Sequence, residues 1–244
     1  MWKNSPKVRP FAKGRTFGIL RARMTRPIPF VEGEYYHVYN RGTDKRKIFL
    51  SPKDHERFLT LMFACNGEVT VNLDEQGNTL QKVQKFERGK PLVAICAFCL
   101  MPNHFHFLLR QLEPNGISKF MQKLSTGYTM YFNARQRRSG TLFQGKFKAT
   151  HADDDIYLRY LVSYIHLNPI KLIEPGWKEN GIQDVAAAEK YLLAYRCSSY
   201  PDFSGVIRSE NILVNADALP HLAFQEKQDY FKRSLKEWLD CRPE

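Results

Sequence analysis

No apolar run in the 244 residues approaches the roughly 18 needed for a membrane-spanning helix, which excludes a helical membrane protein. Cysteine is sparse. The five residues, at 65, 96, 99, 197 and 241, are odd in number and scattered. That argues against a disulfide framework and for a reducing, cytoplasmic setting. Cys96 and Cys99 have the spacing of half a zinc site. They sit inside an apolar run with no second pair nearby, so core packing is the expectation. The basic N-terminus lacks the apolar segment of a secretory signal. Internal repeats and low-complexity tracts are also missing, which excludes a solenoid. Residues 1–27 contain no acid at all, only Lys3, Lys7, Arg9, Lys13, Arg15, Arg21, Arg23 and Arg26 among charged residues.

That stretch belongs to a wider imbalance. The net charge is +12, which favours a polyanionic partner, with nucleic acid the default. Residues 1–27 read as a basic arm that could follow phosphates, or as an upstream extension, since Met24 could itself be a start. A hydrophobic fraction of 43% is enough for a folded core.

The pattern along the chain alternates. Glu34 to Arg41 is β-branched and aromatic, and reads as a strand ending at Gly42. Ser51-Pro52-Lys53-Asp54 opens a helix whose apolar face carries Phe58, Leu61, Met62 and Cys65. Residues 66–91 read as a hairpin or long loop. Two strands then flank the turn residues Pro102-Asn103. Ile117, Phe120, Met121, Leu124 and Tyr128 mark a second helix. A basic turn follows, with Arg135, Arg137, Arg138 and Ser139-Gly140, and then an extended run from Leu142 to Ala149. Asp153-Asp154-Asp155 places acids at the start of a third helix, where the dipole favours them. That helix should stop near Asn168, because Pro169 disfavours helix in the residue before it. An alanine-rich helix near 184–195 and an amphipathic one over 223–240, with Phe231, Leu235, Trp238 and Leu239 on one face, complete the chain. This order predicts an α+β fold: a ferredoxin-like antiparallel sheet backed by helices, with a C-terminal helical extension. Three regions are expected: the arm at 1–27, a catalytic domain at 28–173, and an extension at 174–244 packed on the core.

The chemistry centres on His104-Phe105-His106. On a strand these histidines share a face while Phe105 enters the core. A bare pair of this kind is more often two surface histidines than a metal site. Tyr164 and Asn168, four apart, share one helix face. A tyrosine can act as a covalent nucleophile when a cation assists it, and an amide oxygen is a hard ligand. Two imidazoles and that oxygen would suit Mg²⁺ or Mn²⁺ on a phosphodiester. Tyr157 and Tyr160 fit packing or phosphate contact, and His166 a structural role.

Two segments together resemble a known family. Met101-Pro102-Asn103-His104-Phe105-His106-Phe107-Leu108-Leu109-Arg110, and Tyr164-Ile165-His166-Leu167-Asn168-Pro169 sixty positions on, are similar to the HUH single-tyrosine transposases. The best agreement is with the REP-associated branch, the RAYT proteins. Tyr36 to Gly42, Ser139 to Phe147, and Ser198-Ser199-Tyr200 support it, over roughly residues 27–203. The resemblance implies a ferredoxin-like enzyme that cuts and rejoins single-stranded DNA at hairpin sequences. It implies His104 and His106 as metal ligands, Asn168 as the third where related insertion-sequence enzymes carry glutamine, and Tyr164 as nucleophile. Attack would leave a 5′-phosphotyrosine and a free 3′-hydroxyl. The arm, the 66–91 insertion and the tail after about 204 depart from the pattern.

Contacts to DNA are expected from Asn40, Arg41, Arg135, Arg137, Arg138, Lys146 and Lys148. The expected partner is single-stranded or hairpin DNA, with no membrane, and the protein is a monomer or homodimer. Two other readings compete. One is a non-catalytic, domesticated nucleic-acid-binding protein. The other is a histidine-metal hydrolase of small phosphoesters in which Tyr164 is structural.

Overall fold

The structure, a computed structural model, describes residues 29–69, 72, 73, 77, 79–219 and 230–240. The arm at 1–27 lies outside the described residues apart from its boundary. Four strands, β1 (Tyr35–Arg41), β2 (Val93–Met101), β3 (His104–Gln111) and β4 (Lys148–Ala152), pair antiparallel in the order β2-β3-β1-β4. Helix α1 (Pro52–Ala64) follows β1, and α2 (Gly116–Arg135) follows β3. This is the ferredoxin-like arrangement expected from the sequence.

Alternation along the strands sorts the side chains. Phe105, Phe107 and Leu109 of β3, with Tyr36 and Val38 of β1, pack under α1 and α2. Each such fully buried aromatic contributes about 1.5–3 kcal/mol by leaving water. The opposite face carries Leu108 of β3 and Ala94, Cys96, Ala97 and Cys99 of β2. A third long helix, α3 (Asp155–Leu167), lies against it through Leu158, Leu161, Val162 and Ile165. β2 is buried along its whole length, as a strand covered on both faces must be. An irregularity between Ile95 and Ala97 lets Cys96 and Cys99 join the same cluster. Both thiols are free and buried, which pushes Cys96 up to about 12 and Cys99 well above its usual value. They are core residues.

The turn at Pro102-Asn103 is held by the chain leaving β1. The Gly42 amide donates to the Asn103 carbonyl at 2.9 Å, and the Ile48 amide to the Pro102 carbonyl at 2.8 Å. A Cβ on Gly42 would stand 2.4 Å from the Arg46 carbonyl oxygen, so only glycine fits there.

Three expectations gain detail. The extended run at 142–149 becomes a latch followed by a strand beginning at Lys148. Leu142 and Phe143 are buried anchors, and Gly145, at φ +71°, turns the chain before β4 starts. Pro169 ends the α-type hydrogen bonding at Leu167 but not the helical path. Asn168 keeps φ −52° and ψ −40°, and the chain runs on as 3-10 helix from Asn168 to Leu172. Proline lacks a donor but its φ suits a helical turn. Within 66–91, the ends pair as Glu68 to Lys90 and Val69 to Arg88, and one helical turn spans Leu80–Val83.

Beyond residue 173 the chain shares the second core layer. Trp177, Leu192 of α4 (Val185–Ala194), Phe203, and Phe231 and Trp238 of α5 (Tyr230–Asp240) join the cluster around α3. One compact unit runs from Phe30 to Arg242. This part also covers the exposed edge of β2, through Leu100 amide to Cys197 carbonyl at 2.8 Å and Ser199 amide to Phe98 carbonyl at 2.9 Å. No helix among the described residues is long and apolar enough to cross a membrane.

Candidate active site

The register of the sheet assembles the site. Tyr39 stands opposite His106, and Arg41 opposite His104, so side chains from β1 and β3 emerge together on the α3 face. The rings of His104 and His106 are 5.0 Å apart and perpendicular. Each is fixed through Nδ1: His104 lies 2.6 Å from Asn103 Oδ1, and His106 lies 2.9 Å from Nε2 of His37. Their Nε2 atoms have no protein hydrogen bond among the described residues. Burial lowers His104 to about 4, with Lys171, Lys178 and Arg41 adding to the effect. Burial first, then His37, His104 and Lys178, holds His106 well below the usual imidazole value. Both rings are therefore neutral at pH 7 and carry the lone pairs a cation needs.

Helix α3 lays Tyr164 against His106 and His37. Its ring is 5.4 Å from that of His106 and 5.9 Å from that of His37, edge-on to both and within one chain. Leu161 and Ile165, its neighbours on the helix, are buried in the core, so the tyrosine cannot swing away without unpacking α3. Burial raises the Tyr164 phenol above its ordinary value, and the Asn168 side chain opposes that shift. The phenol is thus protonated at neutral pH and needs help to ionise. Lys178 Nζ sits 4.4 Å from the ring centroid. Asn168 is buried, and its amide nitrogen donates to the Tyr164 carbonyl at 2.7 Å, leaving the amide oxygen uncommitted to the backbone.

The other tyrosines separate from Tyr164. Tyr157, Tyr160 and Tyr164 form a stacked ladder, with steps of 6.2 and 5.9 Å. Tyr128 and Tyr131 are on the α1–α2 side, bonded to the Ile48 carbonyl and to Asp54. His166 is fully buried between Tyr230 Oη, 2.6 Å from Nδ1, and Ser199 Oγ, 2.7 Å from Nε2. It is structural, and Ser198-Ser199-Tyr200 is its docking motif.

This is a fold and a constellation that a comparison of sequences can test. The family described as "Transposase IS200 like" matches residues 31–168. The chain belongs to that family. A search of curated proteins finds no significant match. Among solved structures, a REP-associated tyrosine transposase bound to a REP hairpin is similar over 84% of this chain and 98% of its own, at 13% identity and a TM-score of 0.47.

The residues expected to meet DNA divide in this IS200-like transposase. Asn40 is buried. Its Oδ1 accepts from the Arg41 amide at 2.9 Å, and its Nδ2 donates to the Gly145 carbonyl at 3.2 Å. It latches the 139–147 loop to β1, and so cannot read a base without releasing that loop. Arg135 is bonded to buried Asp54 at 3.0 Å and to Tyr131 Oη at 2.7 Å. Arg138 pins the basic turn through Asn133 and the Thr141 carbonyl. Asn40, Arg135 and Arg138 therefore hold structure, while Arg135 is also exposed. Arg137, Lys146 and Lys148 are exposed, and Arg41 is exposed beside Gln144, to whose Oε1 its Nε donates. Lys148 pairs with Tyr39 across the sheet and so shares the face of the histidines.

Two site residues escaped the sequence reading. His37 was legible as the alternate of Tyr39 on β1, but only once the β1–β3 register was known. Lys178 carries no local signal, since its approach depends on the turn after Pro169. Among the described residues, no three His, Cys, Asp or Glu side chains form a metal-holding group.

Proposed function

We propose that the protein is a metal-dependent single-stranded DNA transposase of the REP-associated kind. It cleaves and rejoins DNA at hairpin, REP-like palindromes through a 5′-phosphotyrosine on Tyr164. The observation that carries this reading is the 5.4 Å approach of the Tyr164 ring to His106 within one chain. A site of small-phosphoester hydrolysis would have no use for a tyrosine held there. The REP-associated assignment rests on the sequence segments that resemble that branch.

Tyr164 Oη attacks phosphorus, and the bond from phosphorus to the 3′ oxygen breaks. The phenol loses its proton and the leaving 3′ oxygen gains one, so the step is balanced and needs no ATP. Attack by another 3′-hydroxyl reverses it and joins strands. Lys178 Nζ, 4.4 Å from the centroid of the Tyr164 ring, is a positive charge beside the reacting tyrosine. His104, His106 and Asn168 would hold Mg²⁺ or Mn²⁺, whose charge polarises the phosphodiester. These donors are of the type such a cation takes but carry no net charge, so the protein alone would bind the ion weakly and would need the charge of the DNA phosphates to retain it. Arg41, Arg137, Lys146 and Lys148 meet the DNA backbone, and a single subunit suffices for cleavage.

The test is a covalent adduct. Given a labelled hairpin oligonucleotide with Mg²⁺ or Mn²⁺, wild type should yield a denaturation-resistant protein–DNA species on the 5′ side of the cut. Tyr164→Phe removes only the hydroxyl and should bind but form none. Cleavage by Tyr164→Phe at the wild-type rate would refute the nucleophile.

A further inference from the structure

We propose that His37 is a positioning residue of this site, holding His106 in the single tautomer that leaves its Nε2 lone pair for a cation. The proposal rests on the reading of His106 as a metal ligand. His37 Nε2 and His106 Nδ1 are 2.9 Å apart. The ring centroids are 5.1 Å apart with 17° between planes, the arrangement of two imidazoles meeting edge to edge across an N–H···N bond. One proton lies between the two nitrogens. If His37 gives it, the proton of His106 must sit on Nε2, and that nitrogen cannot bind a cation. If His106 gives it, Nε2 is bare. A ligating histidine commonly donates its other N–H to a partner that orients it, usually a carboxylate or carbonyl. Here the partner is a second imidazole.

The surroundings hold His37 for that task. It is 8% exposed, its ring lies 5.0 Å from that of Tyr39 at 29°, and Tyr164 closes over it edge-on. Strand β1 places it two positions from Tyr39, the direct cross-strand neighbour of His106. His104 uses a side-chain oxygen, Asn103 Oδ1, for the same purpose. Both expected ligands are thus braced through Nδ1, by groups from different segments.

Two near-isosteric variants separate positioning from packing. His37→Gln can bring an amide oxygen to where Nε2 stands. His37→Asn is similar in polarity but too short to reach. Manganese binding by calorimetry, in the presence of an uncleavable hairpin analogue, should weaken about 10–100-fold in His37→Asn and stay close to wild type in His37→Gln. Long-range ¹H–¹⁵N spectra of the metal-free protein provide a readout that needs no activity. They should show His106 protonated on Nδ1 in wild type and His37→Gln, and a tautomer mixture in His37→Asn. Equal manganese affinity and an unchanged tautomer in His37→Asn would overturn the positioning role while leaving the metal site standing. A wild type that takes up no manganese would overturn the metal-site reading, and this role with it.

Discussion

Protonating buried His166 should cost the fold stability in a pH window set by its environment. Burial lowers its pKa from 6.5 to about 3, with Arg208 adding to the effect. In the unfolded chain the imidazole takes a proton below about 6.5, whereas in the folded protein it stays neutral until about 3. Between those values the unfolded state binds one more proton, so stability falls as pH falls, by about 1.4 kcal/mol per pH unit. From pH 7.5 to 4.5 this amounts to about 3 kcal/mol, a large part of the 5–15 kcal/mol typical of a domain. His37 and His106 contribute in the same direction, so the absolute slope is steeper, but His166→Gln isolates one term. Glutamine cannot serve both Tyr230 Oη and Ser199 Oγ, so at pH 7.5 the variant should be weaker by about 1–3 kcal/mol, the cost of one buried hydroxyl left unpaired. Its loss on acidification should be smaller by about 3 kcal/mol. Urea titrations at pH 7.5, 6.0 and 4.5 would therefore show the two stabilities converging or crossing. Parallel curves would refute the claim that His166 is held neutral in the fold.

Three further outcomes follow from the same geometry. His104→Ala or His106→Ala should abolish hairpin cleavage but leave binding in gel-shift assays nearly intact, because affinity comes mainly from phosphate contacts, and a variant cutting at the wild-type rate would displace the site. Removing residues 1–23 deletes seven basic side chains, and each that meets single-stranded phosphate should flatten the slope of log affinity against log salt by about 0.7, whereas an unchanged slope would make the arm passive. Asp54 accepts the Leu50 and Ser51 amides at 2.8 Å at the start of α1, so Asp54→Ala should destabilise the protein by about 3 kcal/mol in urea, and a loss below 1 would contradict the cap.

The sequence was most legible where a single period governs a whole element. Phe105 and Phe107, alternating with His104 and His106, announced a strand with one core face and one chemical face, and that is how β3 packs. Tyr164 and Asn168 could be paired because helical spacing is local. What stayed hidden depends on how distant segments meet. His37 became a partner of His106 only through a strand register set partly by the Gly42–Asn103 contact. The structural bonds of Asn40 and Arg135 were equally hidden, because polar and basic residues beside a site motif suggest only a DNA contact. Their partners, Gly145 and Asp54, lie 105 and 81 positions away, and composition cannot see a bond at that distance. Pro169 correctly marked the end of the α-helix at Leu167 but not the 3-10 turn that follows. The rule about the preceding residue concerns sterics in an α-helix, and a switch to 3-10 geometry let Asn168 keep the helical conformation that aligns it with Tyr164.

The region beyond the family match, which ends at residue 168, bears on the chemistry rather than merely decorating the fold. Trp177 is buried in the layer under α3, and the next residue, Lys178, is the cation nearest the Tyr164 ring among the contacts described. Ser199 bridges β2 and α3, taking the Phe98 amide at 2.8 Å and facing His166 at 2.7 Å. His166 in turn meets Tyr230 of α5, so the helix carrying Tyr164, the proposed nucleophile, is gripped from behind by three segments that all lie after residue 173. A tyrosine that must reach a phosphate beside two histidines gains from such bracing, because a small misplacement of a reacting group costs far more rate than binding. The same contacts explain why β2, an edge strand, can be apolar throughout without inviting another chain. Cys197 to Ser199 already occupy its hydrogen-bonding edge. Catalytic positioning and protection of the sheet edge are therefore served by one stretch of chain, and truncation at residue 173 would remove both together.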